Sequence, residues 1–172
     1  MKPQDFSTCL IAEVPHLRRF ARGLCGDASL ADDLVQDCLE RAIKKQHLYD
    51  TTRPLRAWLY TMLRNIFVSQ WRRSSQLGIM ADVDDLGNQE PSMAPQQEQN
   101  LSIALITQAL DKLPHQQREI LLMISLEELS YKEAADIIGV PIGTIMSRLS
   151  RARNALHHLL EESGTSVLRV VK

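Results

Sequence analysis

Three arginines, Arg148, Arg151 and Arg153, are gathered in GTIMSRLSRAR (residues 143–153), with Thr144, Met146 and Ser147 among them. A guanidinium is a rigid fork of donors that matches phosphate oxygens or the edge of a guanine, and hydroxyls donate or accept at either. From Ile137 to Leu160 there are three arginines and no acid, whereas His115 to Asp136 carries two bases and five acids. A solvated helix normally mixes signs. Here they are separated, as expected if one helix faces a polyanion. The bland alternative is an amphipathic helix with an ordinary basic face, and patterns of this kind taken singly do mislead. Each Arg–guanine pair gives roughly 1–3 kcal/mol of discrimination, so three arginines suffice for modest sequence preference.

A second basic stretch, Thr51 to Arg73, has five arginines (Arg53, Arg56, Arg64, Arg72, Arg73) and no acid. It also holds Trp58, Tyr60, Phe67 and Trp71, four of the chain's eight aromatic residues. Rings stack on unpaired bases while arginines track the backbone, at roughly 1–3 kcal/mol per stacked base. The competing account is that these rings are the core of a small helical unit; it suits Phe67, and for Trp58 and Tyr60 both readings stand. Catalytic chemistry is not indicated. The carboxylate pairs Asp32/Asp33 and Asp84/Asp85 and the adjacent His157/His158 come without a triad, metal-ligand spacing or glycine-rich loop, and no cofactor or metal is expected.

The elements that must carry these residues are helical. Leu, Ala, Arg, Gln and Glu are plentiful and all favour helix, and no strand-like alternation is present. Phe6, Leu10, Val14, Leu17, Phe20, Ala21 and Leu24 follow a helical period, with Asp5 as candidate cap, Gly26 as terminator and Pro15 expected to kink or split the run. A second helix, capped by Asp27 or Ser29, carries Leu34, Val35, Cys38, Leu39, Ala42 and Ile43 on one apolar stripe. A third runs through RAWLYTMLRNIFVSQWRR with Leu59, Met62, Leu63, Ile66 and Phe67 inward. Residues 74–100 are rich in Gln, Asp, Ser, Pro and Gly and read as an extended linker.

Charge follows this division: residues 1–73 sum to +4, 74–100 to −5 and 101–172 to zero, giving the overall −1. After the linker come LSIALITQALDKL, a helix opened by Pro114, and two helices joined at Gly139-Val140-Pro141. Ala134 and Ala135 allow close crossing, and Ile137, Ile138, Val140, Ile145 and Leu149 supply a shared core, the pattern of a helix-turn-helix. The expected fold is all-α: two small helical domains, 1–73 and 101–162, an acidic flexible linker, and a loosely held tail at 163–172. Cys9, Cys25 and Cys38 form no CxxC pair and read as buried reduced thiols. No signal peptide and no run of 18 apolar residues is present, so a cytoplasmic location with no membrane contact is expected.

DLVQDCLERA, RAWLYTMLRN and ALDKLPHQQREILLMISLEELSYKEAADIIGVPIGTIMSRLSRAR, in that order and covering about residues 10–160, resemble the bacterial extracytoplasmic-function sigma factors, group IV of the sigma-70 family. LRAWLYTMLRN and GTIMSRLSRAR look closest to the alphaproteobacterial general-stress (EcfG-type) group. The resemblance implies a polymerase subunit that directs promoter-specific initiation, with domain 2 at 1–73 and domain 4 at 101–162. Asp33, Leu34, Gln36 and Asp37 would dock on the clamp helices of core RNA polymerase. Asp50, Thr51, Thr52 and Arg53, with Arg56, Trp58, Tyr60, Asn65, Arg72 and Arg73, would take the melted −10 strand. Thr144, Met146, Ser147, Arg148, Arg151 and Arg153 would read the duplex −35 element. The implied regulator is an anti-sigma factor, a small soluble helical (NepR-like) protein. Two positions depart from the family pattern: Met146 stands where many members carry Lys or Arg, and Ser69 where many carry an acid. The alternative is a stand-alone helix-turn-helix regulator, which explains residues 115–160 but leaves the Arg- and Trp-rich helix at 56–73 without a use.

Overall fold

Gly26 and Asp27 make the first corner of the chain. Gly26 adopts φ +69, a left-handed conformation that costs glycine little, and its N–H reaches the Arg22 carbonyl at 3.0 Å. This closes helix α1 (Pro3–Cys25). The Asp27 carboxylate then accepts the Leu30 N–H at 2.8 Å and caps α2 (Ala28–Lys44). A short 3-10 turn, Gln46–Leu48, leads by an exposed loop into α3 (Leu55–Gln76). The computed structural model describes residues 3–76 and 97–162. Among them every regular element is helical.

Two sequence expectations need correction at α1. The helix starts at Pro3, so Asp5 lies inside it and is not its cap, and it runs unbroken past Pro15. Leu10, Leu17 and Phe20 lie on both sides of Pro15 and are all buried. Their packing against α2 and α3 holds the segment in line despite the lost backbone bond. The helices also trim the linker: α3 continues to Gln76 and α4 (Gln97–Asp111) begins at Gln97. What remains of the 74–100 expectation, and the tail at 163–172, lies outside the described residues.

Leu59, Leu63 and Ile66 of α3 meet Leu34, Val35 and Cys38 of α2 and Phe20 and Leu24 of α1 in one apolar core. Phe20 and Tyr60 pack edge to face, with ring centroids 4.9 Å apart. Burial pushes the Cys25 thiol up to about 11 and the Cys38 thiol up to about 12, so both stay protonated. Cys9 is exposed, contrary to the expected burial. Position 9 falls between the apolar residues of the α1 stripe.

In the C-terminal half, Pro114 precedes α5 (His115–Leu121), which widens into a π turn at Leu122–Leu126. Glu128 follows with φ +54, unusual for a residue with a Cβ. Ser130 and Glu133 form a reciprocal capping box at the start of α6 (Tyr131–Ile138), the Ser130 hydroxyl accepting from the Glu133 N–H at 3.2 Å. Gly139, φ +77, ends α6, and α7 (Ile142–Glu162) follows after Pro141. Ala134 of α6 and Ile145 and Ala152 of α7 are fully buried.

No atom lies within 4 Å of where a Cβ at Gly139 would sit, so only backbone conformation opposes a side chain there. Gly139→Ala is expected to destabilise the protein by about 1–2 kcal/mol, and Gly139→Asn by less, measured by urea denaturation. Equal stability of all three would mean the turn rearranges without cost.

Candidate nucleic-acid interface

An α-helix turns about 100° per residue, and this divides α7 into flanks around a buried edge formed by Ile145, Leu149 and Ala152. Thr144, Ser147, Arg148 and Arg151 lie on one flank. Arg148 is half-buried, with Arg151 exposed beside it. Together with Pro114, His115, Gln116 and Gln117 at the start of α5 they line a cleft of about 430 Å³. Met146 and Arg153 lie on the other flank. Met146 is 53% exposed, and the pair lines a smaller cleft, about 190 Å³, with Tyr131, Leu149, Ser150 and Asn154.

All six residues singled out in sequence are therefore on the accessible side of α7, but as two sets and not one. Ser150 and Asn154 occupy the outermost ridge between the sets, and sequence reading missed them. Their helical spacing from Ser147 was the signal available.

The loop before α3 is organised by its own side chains. Asp50 Oδ1 accepts the Thr52 N–H at 2.9 Å and the Thr52 hydroxyl at 2.7 Å, and these bonds hold the Asp50 carboxyl below its usual range. The Tyr49 hydroxyl donates to the Arg53 carbonyl at 2.6 Å, and Arg53 Nε lies 3.8 Å from Asp50. Thr51, Thr52 and Arg53 are exposed. Trp58 is half-buried in a ring cluster, 5.3 Å from Tyr49 and 6.4 Å from Phe6 between centroids. Arg56 is held at 2.7 Å by Glu13 of α1. Asn65, Arg72 and Arg73 are exposed along α3.

Tyr60 is different: it is 0% exposed and its hydroxyl donates to Glu127 at 2.7 Å. For Tyr60 the core reading is the one that holds in this conformation, because its position on α3 faces both Phe20 and the C-terminal half. Arg64, one turn further on, meets Glu119 of α5 at 2.6 Å. Trp71 stacks on His115, ring centroids 4.2 Å apart. Burial, then Arg64, Arg118 and Arg72 nearby, pushes the His115 imidazole below its usual range.

On α2, Asp33 and Gln36 are exposed and Asp37 is half-buried, accepting from Gln70 of α3 at 3.3 Å. Leu34 is 1% exposed. Its expected role as a contact for another subunit is corrected: it is a core residue that positions its polar neighbours. Cys, His, Asp and Glu form no cluster able to hold a metal among the described residues, and no described helix is long and apolar enough to cross a membrane.

Residues 10–64 match the family described as the Sigma2 domain of PhyR, and residues 103–156 match Sigma-70, region 4. The chain is 41% identical over 155 residues to the ECF RNA polymerase sigma factor EcfG of Rhodopseudomonas palustris, covering 90% of this chain and 84% of that protein. It is 34% identical over 151 residues to SigL of Mycobacterium tuberculosis, an ECF RNA polymerase sigma factor, covering 87% and 85%. Among solved structures it is similar to the sigma factor RpoE in complex with the anti-sigma factor NepR from Bartonella quintana, with TM-score 0.77, 40% identity, and coverage of 92% of this chain and 98% of that one.

The Asp50 loop is rigid by virtue of two bonds to one carboxylate. Asp50→Ala is expected to lower local stability by about 1 kcal/mol, read as roughly fivefold faster exchange of the Thr52 amide. Unchanged protection would mean that the Tyr49 hydroxyl alone holds the loop.

Proposed function

We propose, from the premise that this chain belongs to the extracytoplasmic-function RNA polymerase sigma factors, the following division of labour among its residues. The protein directs promoter-specific initiation in a stress response by binding core polymerase and recognising −10 and −35 elements. The observation that carries this is the presence of two different nucleic-acid elements in one chain, a helix-turn-helix suited to a duplex groove and an arginine- and tryptophan-bearing helix suited to an unpaired strand. A stand-alone regulator has use for the first only.

Thr144, Ser147, Arg148 and Arg151 form the polar flank of α7 and read base edges and phosphates of the −35 duplex. Met146 and Arg153 form the second flank. An exposed thioether beside Tyr131 is suited to apolar contact, as with a thymine methyl, where a Lys or Arg would make a charged one. In the N-terminal unit, 1–73, the preformed Asp50–Arg53 loop receives an unstacked base and Trp58 offers a ring edge beside it. Removing a base from the stack costs a few kcal/mol, and a loop that is already ordered adds little further entropy cost. Asn65, Arg72 and Arg73 track the displaced strand. Tyr60 joins this face only when the C-terminal unit, 101–162, moves away.

Asp33, Gln36 and Asp37 present a polar surface on α2 for core polymerase. These proposed roles, recognition and docking, are those of a specificity subunit. Its place of work is the cytoplasm, where polymerase is. The solved relative captured with an anti-sigma factor supports control of this chain by a small soluble helical protein of that kind.

Run-off transcription with core polymerase on candidate stress promoters is the deciding experiment. A promoter-specific transcript is expected, and its absence at every promoter would remove the sigma assignment. Arg148→Ala and Arg151→Ala should each weaken −35 duplex binding by about 1–3 kcal/mol while leaving affinity for core polymerase unchanged. Trp58→Ala should reduce open-complex formation more than closed-complex formation, followed by permanganate reactivity; equal losses would assign Trp58 to the core.

A further inference from the structure

The larger cleft beside α7 is walled by two helices of the C-terminal half. Arg148 and Arg151 stand on one side, and Pro114, His115, Gln116 and Gln117 at the start of α5 on the other, around about 430 Å³. Small-molecule sites fall in the range of roughly 300–1,000 Å³. The Gln117 side-chain Oε1 is buried there and has no hydrogen-bond partner. A buried amide oxygen without a donor is costly, and nearly every such atom in a folded protein finds one.

Charge in the cleft has one sign, because its lining includes two guanidiniums and no carboxylate. Glu119 lies within electrostatic reach of Arg148 but is itself buried against Arg64 at 2.6 Å. Arg151 Nε donates to the Ser147 carbonyl at 3.3 Å, which fixes the near end of that side chain. His115 adds a flat wall. Its ring stacks on Trp71 of α3, at the seam between the two halves, with centroids 4.2 Å apart. Burial and the nearby Arg64, Arg118 and Arg72 hold the imidazole below its usual range, so at neutral pH it is an uncharged ring and not a third cation. Two guanidiniums, a neutral ring and one unpaired acceptor are the complement of a molecule with phosphates, a flat base and an N–H donor.

We propose that this cleft binds a purine nucleoside triphosphate. Arg148 and Arg151 hold the phosphates, the base lies against the His115 ring, and Gln117 Oε1 accepts from the exocyclic amino group of the base. Guanidinium forks match phosphate oxygens in pairs, and a base stacks on any flat ring. A bare phosphate, or the backbone of a duplex, would use the arginines and leave Gln117 unpaired, and this favours a ligand that carries a base. Once bound, the nucleotide occupies two of the arginines assigned to the −35 duplex, so nucleotide and duplex exclude each other. That exclusion rests on the sigma reading of α7; the binding of the nucleotide does not.

Calorimetric titration of the full chain with ATP, with purine riboside triphosphate (which lacks the amino group) and with inorganic tripolyphosphate reads the site. ATP is expected to bind about tenfold more tightly than the purine riboside analogue, the factor of one hydrogen bond, and tripolyphosphate more weakly than either. Gln117→Leu keeps the size of the side chain and is expected to erase the difference between ATP and the analogue, with circular dichroism checking that the variant stays helical. No heat with ATP would overturn the site, and equal affinity for all three ligands would overturn the nucleotide assignment. Fluorescence anisotropy of a labelled promoter duplex then reads the exclusion, at fixed ionic strength because duplex binding falls with salt. ATP at about ten times its Kd is expected to weaken duplex binding by about tenfold; unchanged duplex affinity would overturn the exclusion. A chain that binds ATP but no duplex at all would remove the −35 assignment, and the exclusion with it, while the nucleotide site stands.

Discussion

A carboxylate with no contact to water has to be surrounded by donors, and Glu127 organises the molecule around that requirement. Taking a charge out of water costs several kcal/mol per ion even after relaxation. The compensating groups, Arg19, Tyr60 and His16, come from two helices that are already packed on each other. Burial pushes the Glu127 carboxyl up, yet the hydrogen bonds from Arg19, Tyr60 and His16 outweigh it and leave it below the usual range. It therefore stays ionised, and its position relative to α1 and α3 is fixed to within a hydrogen bond. Arg118 makes the complementary tie, taking up carbonyls at the ends of α1 and α4 that have no partner within their own helices.

This arrangement explains why α3 is hard to read as an amphipathic helix. It serves three surroundings at once: Leu59, Leu63 and Ile66 enter the N-terminal core, Tyr60, Arg64 and Trp71 enter the seam, and Asn65, Arg72 and Arg73 face solvent. Polar and apolar residues are then distributed around the whole circumference, and no single stripe dominates. Helix α7 faces no such conflict. Its buried edge is narrow and apolar, which leaves both flanks free to carry different chemistry, polar and cationic on one side, thioether and guanidinium on the other.

Most of the fold was legible because helices announce themselves locally. The Gly26–Asp27 corner, the Gly139 terminator and the small residues at the α6–α7 crossing follow from backbone conformation and close approach, both encoded within a few residues. The exceptions have two causes. Pro15 was expected to break α1, but packing on both of its sides keeps the helix intact. Leu34 was expected at a subunit contact, but it faces the α3 core. Cys9 was expected inside, but it points outward. For Pro15 and Leu34 the deciding neighbours are distant in sequence, whereas Cys9 lies between the apolar residues of its own helix.

The sequence by itself determined that this is an all-helical chain with two arginine-rich segments, and its motifs were specific enough to indicate the family. It placed six residues on the accessible side of α7, because spacing along one helix settles which residues share its surface, but it left out Ser150 and Asn154 and did not separate the two flanks. Only the tertiary structure decided that Tyr60 is buried, that Arg64 is paired, and that Glu119 and Glu127 are the groups responsible. These ion pairs and hydrogen bonds join residues from opposite sides of the linker. No periodicity carries such information, since a buried charge is recognised by the partner that compensates it, and that partner is brought into place by folding alone.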